Sequence, residues 1–405
     1  MPSRSTFRNT LLIASFALSF SGTAAGAQML QQNTSNSYSQ NDMASPAGAA
    51  ASDDQLRQSV DSLVKSRMQQ FNIPGYAITV VKNGKIILQN SYGFASIEQS
   101  RPVTNQTVFG LASITKTFTA FVILTLVDRG LVNLDDPLQK YVSNLTPEYK
   151  GLTIRQLASM CAGVTNKLPR ERPWPQQLDD IIATPLVSQP GSTYLYSNFS
   201  YRLLGQVIEN VTGKSYMQNV SETIFQPFGM GTSGTPVTLA PTGLVAQPYG
   251  DQNGAAPLRP IQYKPPIVAF SAGMLASNSD DMLRYTLALM NRQGLSETGF
   301  KTLWYDRPPL STGEPSHWAF GWGSKMSAAY GGKRSVSMNG GIPGVASTII
   351  MLPEEQSAVI ALCNLRKPPV YAIATSVAKL AFGRPSQTAL DNEMEADQNN
   401  GASED

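Results

Sequence analysis

Histidine is nearly absent from this chain: His317 is the only one among 405 residues. Zinc sites of the His/Cys type need clustered ligands, and one imidazole with two distant cysteines does not supply them. A Ser-His-Asp hydrolase would have to recruit His317, and no G-x-S-x-G nucleophile turn occurs anywhere. Cysteine is equally sparse. Cys161 and Cys363 sit in apolar surroundings, "SMCAGV" and "VIALCNL", which reads as two buried free thiols and excludes a disulfide scaffold. An excess of one charge is missing as well, with 31 basic against 28 acidic residues and a net charge of +3. No basic stripe with interleaved aromatics is present, so nucleic acid is not an expected partner.

Long apolar runs are also lacking. The stretch from Leu11 to Phe20 is too short for a comfortable membrane span. Preceded by Arg4 and Arg8 and followed by Ala25-Gly26-Ala27, it reads as an export signal over residues 1–27. The expectation is a periplasmic or secreted protein with no stable membrane insertion once the signal is cleaved. Cofactor signatures fail in turn. "TGKS" at 212–215 would need a glycine at position 208, where Ile208 stands. "GGIPG" at 340–344 runs between strand signals, not into a helix, so it is no dinucleotide fingerprint. The pairs Asp53-Asp54, Asp135-Asp136, Asp179-Asp180 and Asp280-Asp281 mostly precede helix-like segments, where capping explains them better than metal binding. Neither metal nor cofactor is expected.

What is present is a 41% apolar composition, ample for a packed core. Residues 28–51 are polar and low in complexity and read as a flexible leader. Order is expected from Ser52, an N-cap for a helix carrying Leu56, Val60, Leu63, Val64 and Phe71. "GYAITVVKNGKIILQNSYG" is two apolar runs around Asn83-Gly84, a hairpin signal. The middle of the chain reads as helical. Thr153 to Gln156 forms a capping box, an apolar stripe from Leu203 to Val211 stops at Gly213, and Ser277 with Asp280 opens "DMLRYTLALMN". Gly/Pro-rich connections such as 231–270 separate these helices. Strand signals return in "AFGWGSKMS", "RSVSMNG", "GVASTIIMLP" and "SAVIALCNL", followed by a helix from about Val370 to Phe382. The tail of 384–405 is polar and acidic and expected to be disordered.

These segments predict an α+β domain over 52–383. Its antiparallel sheet is built from both chain ends, about 72–110 and 317–365, with flanking helices. A mostly helical region, about 111–310, is inserted between them. Active sites favour such seams.

The chemistry concentrates in "VFGLASITKTFTAFVILTLVDRG". Ser113 and Lys116, at i and i+3 on a helix, share one face. A lysine held in a dry, crowded place loses charge more easily and can accept the serine proton. At the helix start Ser113 also lies near free backbone N–H groups. The motif alone is weak, since Ser-x-x-Lys recurs at Ser62-Lys65 and Ser376-Lys379. A second signal is Tyr196-Ser197-Asn198, the only Tyr-x-Asn in the chain. Its phenol can relay protons and its amide can orient the lysine or hold a substrate carbonyl.

Together these residues resemble the family of class C β-lactamases, DD-peptidases and related serine esterases and amidases, for which Ser-x-x-Lys is a signature. The resemblance spans about residues 55–382. It includes "LVNLDDPLQKYV", "LTIRQLASMCAGV", "SNFSYRLLGQVIENVTGKSYMQNVSETIFQPFGM", "SAGMLASNSDDMLRY", "FGWG" and "NGGIPGVASTIIMLP". It implies a β-lactamase/transpeptidase-like fold and an acyl-enzyme on Ser113. Lys116 and Tyr196 would share acid/base duty, and Asn198 would contact substrate. The backbone N–H groups of Ser113 and Gly341 would bind the oxyanion. Where the family carries Lys-Thr-Gly or His-x-Gly, this chain reads Met338-Asn339-Gly340, substrate-binding positions without a cation. The departure favours an ester or amide over a penicillin-type carboxylate. The implied function is a serine hydrolase acting on a small-molecule or peptide substrate. A class C-type β-lactamase or DD-peptidase, or a penicillin-binding sensor without turnover, are the alternatives.

Overall fold

The computed structural model describes residues 47–167, 172–252, 255–261, 269–366 and 369–383. The expected export signal and acidic tail lie outside the described residues, as does 28–46 of the leader. The packing below belongs to the compact unit that begins at Ala51.

Among the described residues, eleven strands run in chain order as β1 (Gly75–Lys82), β2 (Lys85–Ser96), β3 (Arg101–Pro102), β4 (Phe109–Gly110), β5 (Tyr249–Gln252), β6 (Ala255–Pro260), β7 (Ala276–Ser277), β8 (Gly323–Ser327), β9 (Lys333–Ile342), β10 (Val345–Leu352) and β11 (Ser357–Cys363). Seven form one sheet in the order β3-β2-β1-β11-β10-β9-β8. Every pair in it is antiparallel, and β1 meets β11 from Tyr76 opposite Cys363 to Val81 opposite Ala358. The two chain ends therefore share one sheet, with the helical region leaving and returning between β3 and β8. The fold is the α+β arrangement that the strand signals predict.

Asn83 and Gly84 carry φ of 49° and 75°, the left-handed pair that a tight β1–β2 hairpin needs. Successive residues of β1 serve opposite faces. Ala77 and Val81 enter the larger apolar core, whereas Tyr76, Ile78 and Val80 enter a second one. The second core is closed by Val60 and Val64 of the Ala47–Gln70 helix and by Ile373, Ala374, Val377 and Ala378 of the Pro369–Phe382 helix. The larger core lies on the helical side. Its axis is the Thr115–Asp128 helix, buried from Thr115 through Leu126. A helix apolar on every side belongs inside a protein, and each fully buried Val, Leu, Ile or Phe there contributes about 1.5–3 kcal/mol.

Two local expectations hold in detail. Thr153 and Gln156 form a reciprocal capping box, and Gly213 ends its helix at φ 67°. Three others need correction. Ser52 is not the first cap, because the helix begins at Ala47 in the alanine-rich 47–51 segment and already includes it; alanine propagates helix at the lowest cost. The Ser279–Met290 helix is capped by Asn278, whose side chain accepts from Asp281 N–H at 2.8 Å, and Ser277 instead pairs in β7. The 231–270 segment is more than a connection, since it holds the β5–β6 hairpin and a Pro236–Leu239 helix. Its sequence signal was Asn253-Gly254 between two short runs.

Candidate active site

The nucleophile candidate sits on a strained step. Ala112 has φ 45°, a left-handed conformation that costs a side-chain-bearing residue roughly 1–2 kcal/mol. This kink leads through the Ala112–Ile114 turn into the Thr115–Asp128 helix. β9 braces it. A Cβ at Gly340 would come 2.1 Å from the Leu111 carbonyl oxygen, so only glycine lets the two backbones touch there. From the next strand Ser347 Oγ donates to the same carbonyl at 2.8 Å. The turn that carries Ser113 is thus fastened to the sheet.

Lys116 is fully buried, at 0% exposure. Its Nζ donates to Ser113 Oγ at 3.0 Å, Asn198 Oδ1 at 2.7 Å and the Ala272 carbonyl at 2.9 Å. An ammonium has three hydrogens, and each has an acceptor. Loss of one proton leaves a lone pair already aimed at one of these partners. The amine also lies 4.9 Å from the Tyr196 ring centroid and 5.9 Å from that of Tyr201. Burial pushes the Tyr201 phenol far above the usual tyrosine range, so it stays neutral and serves as wall. Tyr201 OH donates to the Ala158 carbonyl at 2.7 Å.

Tyr196 completes the group, with its OH 2.8 Å from Ser113 Oγ. The loop carrying it is held from both sides. Leu195 N–H donates to Met160 O at 2.8 Å, and Ser197 Oγ donates to Thr165 O at 2.9 Å while accepting from Ser200 N–H as the N-cap of the Asn198–Thr212 helix. Trp318 packs its ring edge-on to that of Tyr196, 5.7 Å away at 82°. Its own Nε1 is tied to the Ala158 carbonyl at 3.2 Å. Asn198 N–H donates to Asn166 Oδ1 at 2.8 Å.

The structure therefore brings Ser113, Lys116, Tyr196 and Asn198 into one hydrogen-bonded cluster at the seam between sheet and helices. Gly340 and Gly341 lie on β9 against this turn. Met338, on the same face of the strand as Val336 and Gly340, is only 5% exposed and packs in the larger core. Of the three positions from 338 to 340, only Asn339 is exposed. His317 is exposed on the neighbouring loop. Cys161 and Cys363 are both buried and free. Burial raises the thiol pKa of each, to about 12 for Cys363, so neither offers a competing nucleophile.

Sequence reasoning missed the Ala272 carbonyl, Asn166 and Trp318. The first is a backbone atom with no side-chain signature. Its signal was the "FSAG" turn, in which Ser271 Oγ donates to Tyr201 O at 2.8 Å and Thr119 Oγ1 to Ser271 O at 2.6 Å. These bonds pin the carbonyl beside the lysine.

A protein-family model described as Beta-lactamase matches residues 60–382. The chain belongs to the beta-lactamase family. It is similar to protein flp of Staphylococcus aureus strain MW2, 28% identical over 328 residues, 76% of this chain and 63% of flp. The beta-lactamase-family region here thus spans less than two thirds of that relative's length. Penicillin-binding protein 4* of Bacillus subtilis strain 168 is 27% identical over 335 residues, 76% of this chain and 72% of the relative. The octameric penicillin-binding protein homologue from Pyrococcus abyssi superposes with a TM-score of 0.72 at 25% identity, covering 82% of this chain and 78% of that one. A class C beta-lactamase from Rhodobacter sphaeroides gives a TM-score of 0.66 at 21% identity over 79% of this chain and 97% of its own, which shows the shared fold. The chain has the serine-hydrolase fold of the beta-lactamase family.

Proposed function

We propose that this protein is a serine acyl hydrolase that cleaves an ester or amide bond through an acyl-enzyme on Ser113. The observation that carries this reading is a serine oxygen with an amine 3.0 Å away and a phenol 2.8 Å away, both within proton-transfer reach. In the forward step Lys116 and Tyr196 take the hydroxyl proton as Oγ attacks the substrate carbonyl carbon. The N–H groups of Ser113 and Gly341 stabilise the oxyanion. The proton passes to the leaving oxygen or nitrogen as that bond breaks. Water then attacks the ester carbon and gives a proton to the same pair, which returns it to Oγ as the Oγ–carbon bond breaks, releasing the acid and restoring Ser113. Asn198, bound to Lys116, orients the amine and faces the substrate.

The signal-like residues 1–27 support action outside the cytoplasm, in the periplasm or as a secreted protein. Buried Met338 favours a second reading, a sensor protein on this fold that acylates without turnover, because its thioether supplies no cation to help polarise Tyr196. A β-lactamase or DD-peptidase is the third outcome of the same assay. Wild type and Ser113→Ala are incubated with a p-nitrophenyl ester, a chromogenic cephalosporin and a fluorescent penicillin. Turnover of the ester, lost by at least about 10³-fold in the alanine variant, supports the hydrolase. Stable penicillin labelling without turnover supports the sensor. Turnover retained by Ser113→Ala contradicts the acyl-enzyme.

A further inference from the structure

The peptide linking Gly340 to Gly341 is held from behind the sheet. Tyr371, half-buried on the Pro369–Phe382 helix, donates its OH to the Gly340 carbonyl oxygen at 2.9 Å. That carbonyl and the Gly341 N–H are the two ends of one planar peptide unit. A donor on the oxygen draws electron density from the nitrogen and makes the N–H a stronger, better-aimed donor. The same phenol oxygen fixes the choice of residue 341, because a Cβ there would lie 2.7 Å from it. Arg366 Nε lies 3.5 Å from that Cβ position, an ordinary contact, so the phenol is the group that would clash.

This end of β9 needs such a tether. β8 pairs with β9 only from Lys333 to Ser337. Among the described residues, β9 beyond Ser337 is paired by β10 alone, through Ser347 opposite Gly340 and Ala346 opposite Gly341. The open edge that lets a substrate approach also leaves the peptide free to tilt.

We propose that Tyr371 is a positioning residue for the oxyanion-binding N–H of Gly341, acting through the Gly340 carbonyl. The proposal rests on the acyl-enzyme reading above, in which Gly341 supplies the second oxyanion donor. Tyr371→Phe keeps the ring and removes the donor. It is expected to lower kcat on the p-nitrophenyl ester by about tenfold, a fraction of what deleting a direct oxyanion donor costs. KM should stay within about twofold, because the donor matters most when charge develops on the carbonyl oxygen.

The deciding readout is the rate ratio between the ester and its thiono analogue, whose sulfur is a poor hydrogen-bond acceptor. A weakened N–H penalises the oxygen ester more, so the ratio should shrink by several-fold in Tyr371→Phe. A loss of general packing would slow both substrates alike. Should the phenylalanine variant melt early, Gly341→Ala reads the same contact from the strand side by displacing the phenol, and should shrink the ratio too. Ser113→Ala runs in parallel. If it keeps turnover, the acyl-enzyme reading falls, and this inference with it. If it is inactive while Tyr371→Phe keeps both kcat and the wild-type ratio, the role of Tyr371 is overturned alone.

Discussion

Ser113-Lys116 and Ser62-Lys65 spell the same helical pattern and have opposite fates. Lys116 is at 0% exposure with three acceptors around its amine. Lys65 keeps 64% of its side chain in solvent and pairs with Asp61 at i,i+4, 2.7 Å away. The surface pair is an ordinary helix ion pair, contributing about 0.3–0.5 kcal/mol. The buried one has water replaced by a carbonyl, an amide and a hydroxyl. The contrast shows that the tetrapeptide specifies only that serine and lysine share a face. What surrounds that face decides whether it can do chemistry.

Substituting the lysines tests this contrast most severely. Lys116→Met should lower kcat/KM for the ester by about 10³-fold, as expected for loss of a positioned proton acceptor beside the nucleophile. Lys65→Met should leave turnover unchanged and shift stability by no more than about 0.5 kcal/mol. Comparable losses in the two variants, measured by steady-state kinetics, would erase the distinction. Tyr196→Phe comes next. It removes the second partner of Ser113 Oγ while keeping the ring against Trp318, and should cost about 10²-fold in kcat with an unchanged melting temperature. A smaller effect belongs to the approach to Ser113, which Ser62 lacks. Ala112→Gly should relieve the left-handed φ at that position and raise unfolding stability by about 0.5–1 kcal/mol. Denaturant titration reads it, and a loss of stability would show that the kink is not strained.

The same comparison marks what could be read from the sequence. Tyr196-Ser197-Asn198 and the apolar run after Lys116 separate the catalytic candidate from its two copies in the sequence itself. The Asn83-Gly84 hairpin, the Thr153–Gln156 box and the late strand signals were legible because each depends on neighbours in sequence. The Ala272 carbonyl was not, since a backbone acceptor leaves no mark on residue type and its place depends on Ser271 meeting Tyr201 across the fold. Met338 was legible as a departure from the family pattern. Its burial was not, because strand alternation assigns faces only once the sheet partner is known. The β5–β6 hairpin carried its Asn253-Gly254 signal, but the prolines and glycines flanking its two short runs made the whole segment read as loop.

The most direct test is chemical. Wild-type protein is quenched during turnover of a p-nitrophenyl ester, weighed intact by mass spectrometry and then mapped by peptide. The account predicts one acyl adduct, on the hydroxyl of Ser113, absent from the Ser113→Ala protein. An adduct on any other residue would contradict it, as would ester turnover that survives removal of that hydroxyl.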